Sequence, residues 1–121
     1  MEITSLKAWE MKDKLFKKEL SSREIVEAHI KKIDEQEPQV NAFITLDKEN
    51  ALKEANRIDE KIARGERLEV LAGLPIGIKD NIVTKNLRTT CASKMLEDFI
   101  PPYDATVVEN IRKQDGIIIG K

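Results

Sequence analysis

The hydrophobic positions in the first 65 residues recur every three or four residues, which is typical of amphipathic helices. Three apolar stripes follow one another along the chain: Trp9, Leu15, Phe16 and Leu20, then Ile25, Val26, Ile30 and Ile33, then Ala51, Ala55, Ile58 and Ile62. Between the second and third stripes, the short run "VNAFIT" at 40–45 predicts an extended piece. Residues 1–65 are therefore expected to form a helical region.

Polar residues and glycine mark where these helices begin and end. Ser21 is followed three residues later by Glu24, which is the arrangement of a capping box and predicts the start of the second helix. That helix is expected to end before Pro38, because proline disfavours a helical conformation at the residue before it. Asp47 is the expected N-cap of the third helix, and Gly65 its left-handed terminator.

The pattern changes near residue 71, where apolar runs alternate with turn residues. "LPIGIKDNIV" and "IIIGK" predict buried strands, and Asp104 is expected to cap a helix through "ATVVENIRKQ" between them. The expected buried side of that helix is Val107, Val108 and Ile111, and its expected end is Gly116. A strand, a crossover helix and a second strand form the unit of an α/β sheet.

The last predicted strand is apolar throughout, and such a strand is normally covered on both faces. Nothing follows it in the 121 residues to provide a cover. Its edge is therefore expected to be exposed and to favour self-association. The chain is expected to be the front portion of a larger protein.

Composition and charge exclude several classes of protein. The 121 residues are 40% hydrophobic and 36% charged, with a net charge of −1, so a basic excess for binding nucleic acid directly is absent. The single cysteine, Cys91, cannot form an internal disulfide. The charged amino terminus lacks the apolar core of a signal peptide, and no run is long enough to cross a bilayer. A cytoplasmic protein is expected.

Most residues that suggest chemistry have a simpler structural explanation. "GIIIGK" has three residues between its glycines where a phosphate-binding loop needs four, so a strand and a turn are expected. His29 lies on an apolar stripe and is expected to be half-buried, with one ring nitrogen satisfied, rather than bound to a metal. Cys91 is expected to be a buried, inert thiol. Ser93 and the neighbouring threonines are expected to be turn or capping hydroxyls.

Lys79 does not fit such an explanation as easily, because it interrupts an apolar run. If residues 76–82 are extended, Ile76, Ile78 and Asp80 share one side, and Gly77, Lys79 and Asn81 share the other. Gly77 leaves space beside the lysine, and Asp80 is directed away from it. This pattern is compatible with a desolvated lysine kept neutral as a general base. It is also compatible with a lysine at a strand end that reaches solvent or pairs with a carboxylate.

At these residues the sequence resembles the amidase signature family. The segment "LAGLPIGIKDNIVTKNLRTTCASKMLEDFIPPYDATVVENI" at 71–111 carries the lysine-aspartate-asparagine stretch, the "TTCAS" segment and the "YDATVV" helix start in the family's order. "SSREIVEAHI" and "VNAFIT" are similar as well, and the departures are at Asn86 and at Gln114-Asp115. The resemblance implies an α/β, amidase-signature fold, amino-terminal part only, with helices followed by the first strands and a crossover helix of a mixed sheet.

The resemblance also implies a domain organisation and a role for one residue. Residues 1–121 would be the amino-terminal portion of a single amidase domain, with 1–65 helical and 66–121 the start of the α/β core. Family members hydrolyse amides with a Ser-cisSer-Lys triad, and the motif places Lys79 as its general base. Both family serines lie in a Gly/Ser-rich region that this sequence does not contain. The 121-residue chain alone is therefore expected to be inactive, and it is expected to hold no cofactor or metal.

Within the family, the motifs are most similar to those of glutaminase subunits of tRNA-dependent amidotransferases. That similarity implies release of ammonia from glutamine, used by a partner subunit with ATP and Mg²⁺ to amidate misacylated Glu-tRNA. The implied partners are the other subunits of a heterotrimer, with tRNA reached indirectly through them, and no membrane. Two alternatives stay open: a simple amidase that acts on small amides, and a non-catalytic assembly module.

Overall fold

The computed structural model describes residues 2–121. Its helices are α1 (Ala8–Phe16), α2 (Ser22–Val40), α3 (Lys48–Ala63) and α4 (Thr106–Lys113), with short 3-10 helices at Ile3–Ser5 and Lys94–Leu96. Two strands, β1 (Pro75–Gly77) and β2 (Ile117–Gly120), pair in parallel. Within residues 2–121, no helix is both long and apolar enough to cross a membrane.

The capping residues of α2 act as predicted, but the helix continues past its proline. The Ser21 hydroxyl accepts the Glu24 N–H, and the Glu24 carboxylate accepts the Ser21 N–H. The expected end before Pro38 is wrong because proline falls in the last turn, where Glu37 closes the helix instead. The carboxylate of Glu37 accepts the N–H groups of residues 42 and 43, at 2.6 and 2.7 Å. Asn41 then leaves the helix in a left-handed conformation.

The third helix follows its predicted stripe. Ala51, Ala55 and Ile58 are fully buried, and Gly65, at φ +70°, terminates the helix as expected. Asp47 is the N-cap residue, although its side chain makes no capping hydrogen bond.

The apolar stripe of α1 is narrower than predicted. Leu15 is buried and Met11, one turn earlier, lies beside it in the core, but Trp9 and Phe16 are exposed. Successive residues of a helix are rotated by about 100°, which places Trp9 and Phe16 away from the side that carries Met11 and Leu15.

The fourth helix begins and ends differently from the prediction. Its N-cap is Ala105, because the Asp104 carboxylate instead accepts the Lys85 N–H and a hydrogen bond from Arg112. Val108 is buried, but Val107, about 100° further round, is exposed. The helix ends at Lys113, before Gly116.

The left-handed residue after α4 is Asp115, at φ +62°. Its carboxylate accepts hydrogen bonds from Arg57 at 2.9 Å and Lys61 at 2.7 Å. Both of these cations belong to α3, so the turn that leads into β2 is joined to that helix.

Strand β2 is buried on both faces by residues that precede it, so the prediction of an uncovered strand is wrong. Ile117 and Ile119 belong to the main core cluster with residues of α1, α2 and α3, whereas Ile118 packs with Ile78, Leu87 and Val108.

Segment 44–47 runs along the edge of β2 opposite β1. It is extended, as predicted for 40–45, and Leu46 pairs antiparallel with Gly120. The N–H of Asp47 donates to the carbonyl of Ile119 at 2.9 Å. A Cβ on Gly120 would lie only 2.7 Å from the carbonyl oxygen of Thr45, so this close approach requires glycine.

Candidate active site

The strand that leads to Lys79 ends earlier than predicted, and a turn presents the lysine. Beyond β1, the Ile78 N–H still donates to the carbonyl of Gly120 at 3.0 Å. The Ile82 N–H then donates to the carbonyl of Lys79, also at 3.0 Å, which closes a turn over 79–82. The expected strand through 82 is therefore wrong, because the backbone of 79–82 bonds within itself rather than to a neighbouring strand.

The predicted alternation of sides nevertheless holds. Ile78 and Asp80 are buried, whereas Gly77, Lys79 and Asn81 are exposed. A Cβ on Gly77 would meet only the ring of Phe43, at 3.6 Å, so the space beside the lysine is open. Asp80 is directed away from Lys79 into the interior, as the period of two predicted.

Lys79 itself is not desolvated by residues 2–121. Its side chain is exposed, and its ammonium group forms no hydrogen bond or ion pair within the described part of the chain. The predicted burial is therefore wrong, because the side that carries Gly77 and Lys79 has no neighbouring element over it. Of the two possibilities left by the pattern, the one in which the lysine reaches solvent describes this structure.

A cavity of about 580 Å³ lies beside Lys79. Phe43 and Ile44, from the extended segment after α2, form an apolar wall, and Cys91 and Ala92 form part of the opposite rim. Ile44 is 48% exposed, so this wall faces solvent. No serine lines the cavity among residues 2–121. The cavity therefore offers an amine and an apolar wall, without a nucleophilic hydroxyl.

Cys91 lies at the tip of a strained turn and is exposed, so the prediction of a buried thiol is wrong. The Ser93 N–H donates to the carbonyl of Thr90 at 2.8 Å, with Cys91 and Ala92 between them at φ +52° and +56°. Two consecutive left-handed residues with Cβ atoms are unfavourable. The Thr90 hydroxyl accepts the Ala92 N–H, which is the capping role predicted for these threonines.

Asp80 is 7% exposed and connects this turn to the Lys79 turn. Its carbonyl accepts the Cys91 N–H at 2.9 Å. Its carboxylate oxygen Oδ2 accepts both the N–H of Thr90, at 3.1 Å, and the Thr90 hydroxyl. The other oxygen, Oδ1, is buried and has no hydrogen-bond partner among residues 2–121.

Lys121 is a buried residue of the site that the sequence pattern did not reveal. Its ammonium group donates to the hydroxyls of Thr84 and Thr89, each at 2.8 Å, and to the carbonyl of Ile82. Burial lowers the pKa of Lys121, and nearby Asp80 opposes this effect. The only signal in the sequence is a lysine placed directly after a fully apolar strand.

His29 takes no part in this site. It is half-buried in α2, and Nδ1 donates to the carbonyl of Ile25 at 2.7 Å, as expected for a packed histidine with one ring nitrogen satisfied. No group of three or more His, Cys, Asp or Glu side chains in the described range 2–121 is placed to hold a metal ion.

A parallel strand pair packed against helices, followed by a lysine turn at a cavity, defines the class of protein. The amidase family matches residues 24–121, and the chain belongs to that family. The native peptide amidase from Stenotrophomonas maltophilia is a solved structure with the same fold, with a TM-score of 0.88 and 29% identity over 97% of this chain and 24% of that one. The predicted amidase-signature fold, amino-terminal part only, is confirmed.

Particular relatives narrow the resemblance. The chain is 50% identical, over all 121 residues, to the second of two A subunits of glutamyl-tRNA(Gln) amidotransferase in Clostridium acetobutylicum, and covers 25% of it. It is 48% identical over 117 residues to the A subunit of the same enzyme from a Synechococcus strain, covering 97% of this chain and 23% of that protein. The chain thus spans about a quarter of the length of these curated relatives, at their amino terminus.

Proposed function

We propose that residues 1–121 form the amino-terminal quarter of the glutaminase subunit of a glutamyl-tRNA(Gln) amidotransferase. The whole subunit would release ammonia from glutamine, for conversion of Glu-tRNA(Gln) to Gln-tRNA(Gln). The observation that carries the proposal is the 50% identity, over the full chain, to the second A subunit of Clostridium acetobutylicum. Members of the amidase fold family at 28% or 29% identity support the chemistry of amide hydrolysis more generally.

In this proposal Lys79 is the general base of a Ser-cisSer-Lys triad. Its amine has no competing partner among residues 2–121 and lies at the rim of a cavity large enough to admit another segment. A segment that covers this side would remove water from around the amine, which favours the neutral form that accepts a proton. The amino-acid pattern therefore supplies the base, and the covering segment supplies the environment in which it works.

The nucleophile would come from the same covering segment. A serine attacks a carbonyl only when a base within hydrogen-bond reach takes its proton. Since no serine among residues 2–121 lines the cavity, the 121-residue chain alone is proposed to be inactive. The other subunits of a heterotrimer are the proposed partners. ATP, Mg²⁺ and tRNA are proposed to be bound through them.

A chimera tests the proposal. The 121 residues would be joined in frame to the three quarters of the Clostridium acetobutylicum subunit that they do not match, and purified with that organism's partner subunits. We expect ammonia release from glutamine, and a loss of about a hundredfold or more in Lys79→Ala, because a general base contributes about 10²–10⁴ in rate. Lys94→Ala, which removes another exposed lysine from the loop after Cys91, should keep the activity.

The alternatives give different results in the same experiment. A chimera that hydrolyses small amides but not glutamine would favour a simple amidase, which the likeness to a peptide amidase makes the second candidate. A chimera that assembles with its partners but hydrolyses neither substrate would favour a non-catalytic assembly module. Activity that persists in Lys79→Ala would refute the role of the lysine.

A further inference from the structure

One buried charge in the candidate active site lacks a partner. Asp80 is 7% exposed, and both hydrogen bonds to its carboxylate, from the N–H and the hydroxyl of Thr90, are made to Oδ2. Oδ1 receives none from residues 2–121. Buried polar groups in native proteins are nearly always paired, and an unpaired acceptor is costly, above all when it is charged.

The donors closest to Asp80 in the fold are already in use. Lys121 has three N–H groups, and they are bonded to the carbonyl of Ile82 and to the hydroxyls of Thr84 and Thr89. The two threonine hydroxyls donate in turn to main-chain carbonyls, those of Ile82 and Leu87. No rearrangement of these groups would satisfy Oδ1 without leaving another buried group unpaired.

The missing donor can approach from the cavity. Asp80 lines the same cavity as Lys79, although the two side chains lie on opposite sides of the backbone. The cavity has an exposed apolar wall at Phe43 and Ile44, and an apolar wall of this kind fits a segment of protein. The chain matches only a quarter of its relatives, so the amidase domain has segments outside residues 1–121 that would fill such a space.

We propose that Oδ1 of Asp80 accepts a hydrogen bond from the amidase-domain segment that completes the Lys79 cavity, donated by a main-chain N–H or a Ser or Thr hydroxyl. Asp80 is then a positioning residue, which sets the register of that segment one residue away from the base. The inference rests on the proposed function only in that both require the same completing segment. It does not depend on which amide the enzyme hydrolyses.

The adjacent backbone makes this register precise enough to matter. The Asp80 carbonyl is bonded to the Cys91 N–H, and Oδ2 is bonded to Thr90, so the aspartate is held on both sides before any segment arrives. A donor bonded to Oδ1 is therefore referenced to a rigid corner. Since reaction rates are sensitive to displacements of about 1 Å, loss of this contact should lower kcat more than it raises KM.

Asp80→Asn is the variant that isolates the contact. An asparagine that turns its oxygen toward Thr90 keeps both existing hydrogen bonds and presents an NH₂ group where a donor should arrive. Both the 121-residue chain and the chimera described above would be unfolded in denaturant. We expect an unchanged midpoint for the chain and, for the chimera, an unfolding constant larger by about ten- to a hundredfold, as hydrogen bonds to charged groups imply. The matched control is Asp98→Asn, which alters an exposed aspartate in the same region.

Activity and structure give independent checks. In the chimera, Asp80→Asn should lower kcat for the hydrolysed amide while KM changes by less than about twofold, because the contact positions the base and does not bind substrate. Wild-type stability and kcat in an Asp80→Asn chimera would overturn the inference. If the variant does not fold, a crystal structure of the wild-type chimera decides: a protein donor within hydrogen-bond distance of Oδ1 supports the inference, and water alone at Oδ1 overturns it. A chimera that shows the contact but hydrolyses no glutamine would refute the proposed function and leave the inference standing.

Discussion

The main-chain N–H of Cys91 donates a hydrogen bond to the carbonyl oxygen of Asp80, with 2.9 Å between the two atoms. This bond joins the strained turn that carries the thiol to the turn that carries Lys79. Both side chains are exposed, and both line the same cavity. The cysteine is therefore a natural reporter for the environment of the candidate base.

The first prediction concerns the reactivity of this thiol. Because Cys91 is exposed, a small disulfide reagent should label the folded chain at a rate within about tenfold of the rate for the unfolded chain. Absorbance of the released thiol measures the rate, and Cys91→Ser provides the blank. Labelling that appears only in denaturant would show a buried thiol, as the sequence pattern predicted, and would contradict the structure.

The errors in the sequence-based prediction share a physical cause. Alternation along 76–82 correctly separated Asp80 from Lys79, since a period of two is a local property of the backbone. Whether either side was covered is a tertiary property, and the burial expected for Lys79 was wrong for that reason. Cys91 was placed in the interior because left-handed turns are usually marked by glycine or asparagine, and "TCAS" contains neither.

Other features were predictable because they depend on residues close in sequence. The Ser21–Glu24 capping box and the left-handed Gly65 were both recognised from short patterns and are both confirmed. By contrast, the cover of β2 comes from residues far earlier in the chain. The partners of Lys121, at positions 82, 84 and 89, are equally distant. No local pattern could have placed that ammonium group in the interior.

The second prediction is that Asp115→Asn lowers the free energy of unfolding by about 1–2 kcal/mol at neutral pH, the range for hydrogen bonds to charged groups. Asparagine tolerates the left-handed backbone at this position, so the change removes the charge without adding strain. Denaturant unfolding measures the loss, which comes from the contacts to Lys61 and Arg57. A loss no larger than that of Asp98→Asn would contradict it.

The same variant predicts a pH dependence. Burial alone would raise the pKa of Asp115, but hydrogen bonds from Lys61 and Arg57 together outweigh it and lower the pKa below the ordinary 3.8. The unfolded state then binds the proton first on acidification, so the stabilisation is fully present above about pH 5 and is lost as the pH falls below 3.8. The difference between wild type and Asp115→Asn should therefore shrink in acid. A difference that stayed constant down to pH 3 would contradict this mechanism.

The third prediction concerns Lys121 at alkaline pH. Burial lowers its pKa below the ordinary 10.5, so the unfolded state holds the proton more tightly than the folded state. Between the lowered value and 10.5, the free energy of unfolding of the wild type should rise with pH relative to Lys121→Met, which cannot titrate. Chemical unfolding at several pH values from 7 upwards measures this difference. The matched exposed variant Lys94→Met should show no such trend, and an equal trend in both would remove the attribution to Lys121.

The last prediction tests the strain in the turn beside the cavity. Ala92 is held at φ +56°, a conformation that costs a residue with a Cβ about 1–2 kcal/mol and costs glycine little. Ala92→Gly relieves that strain but increases the conformational entropy of the unfolded chain, which offsets about 0.4–1 kcal/mol. The free energy of unfolding should therefore rise by up to about 1 kcal/mol, whereas Ala28→Gly, in the middle of α2, should lower it by about the same amount. Urea unfolding of both variants measures the two changes. If both substitutions destabilise the chain equally, the turn at Cys91 and Ala92 is not strained, and the left-handed backbone at those residues is wrong.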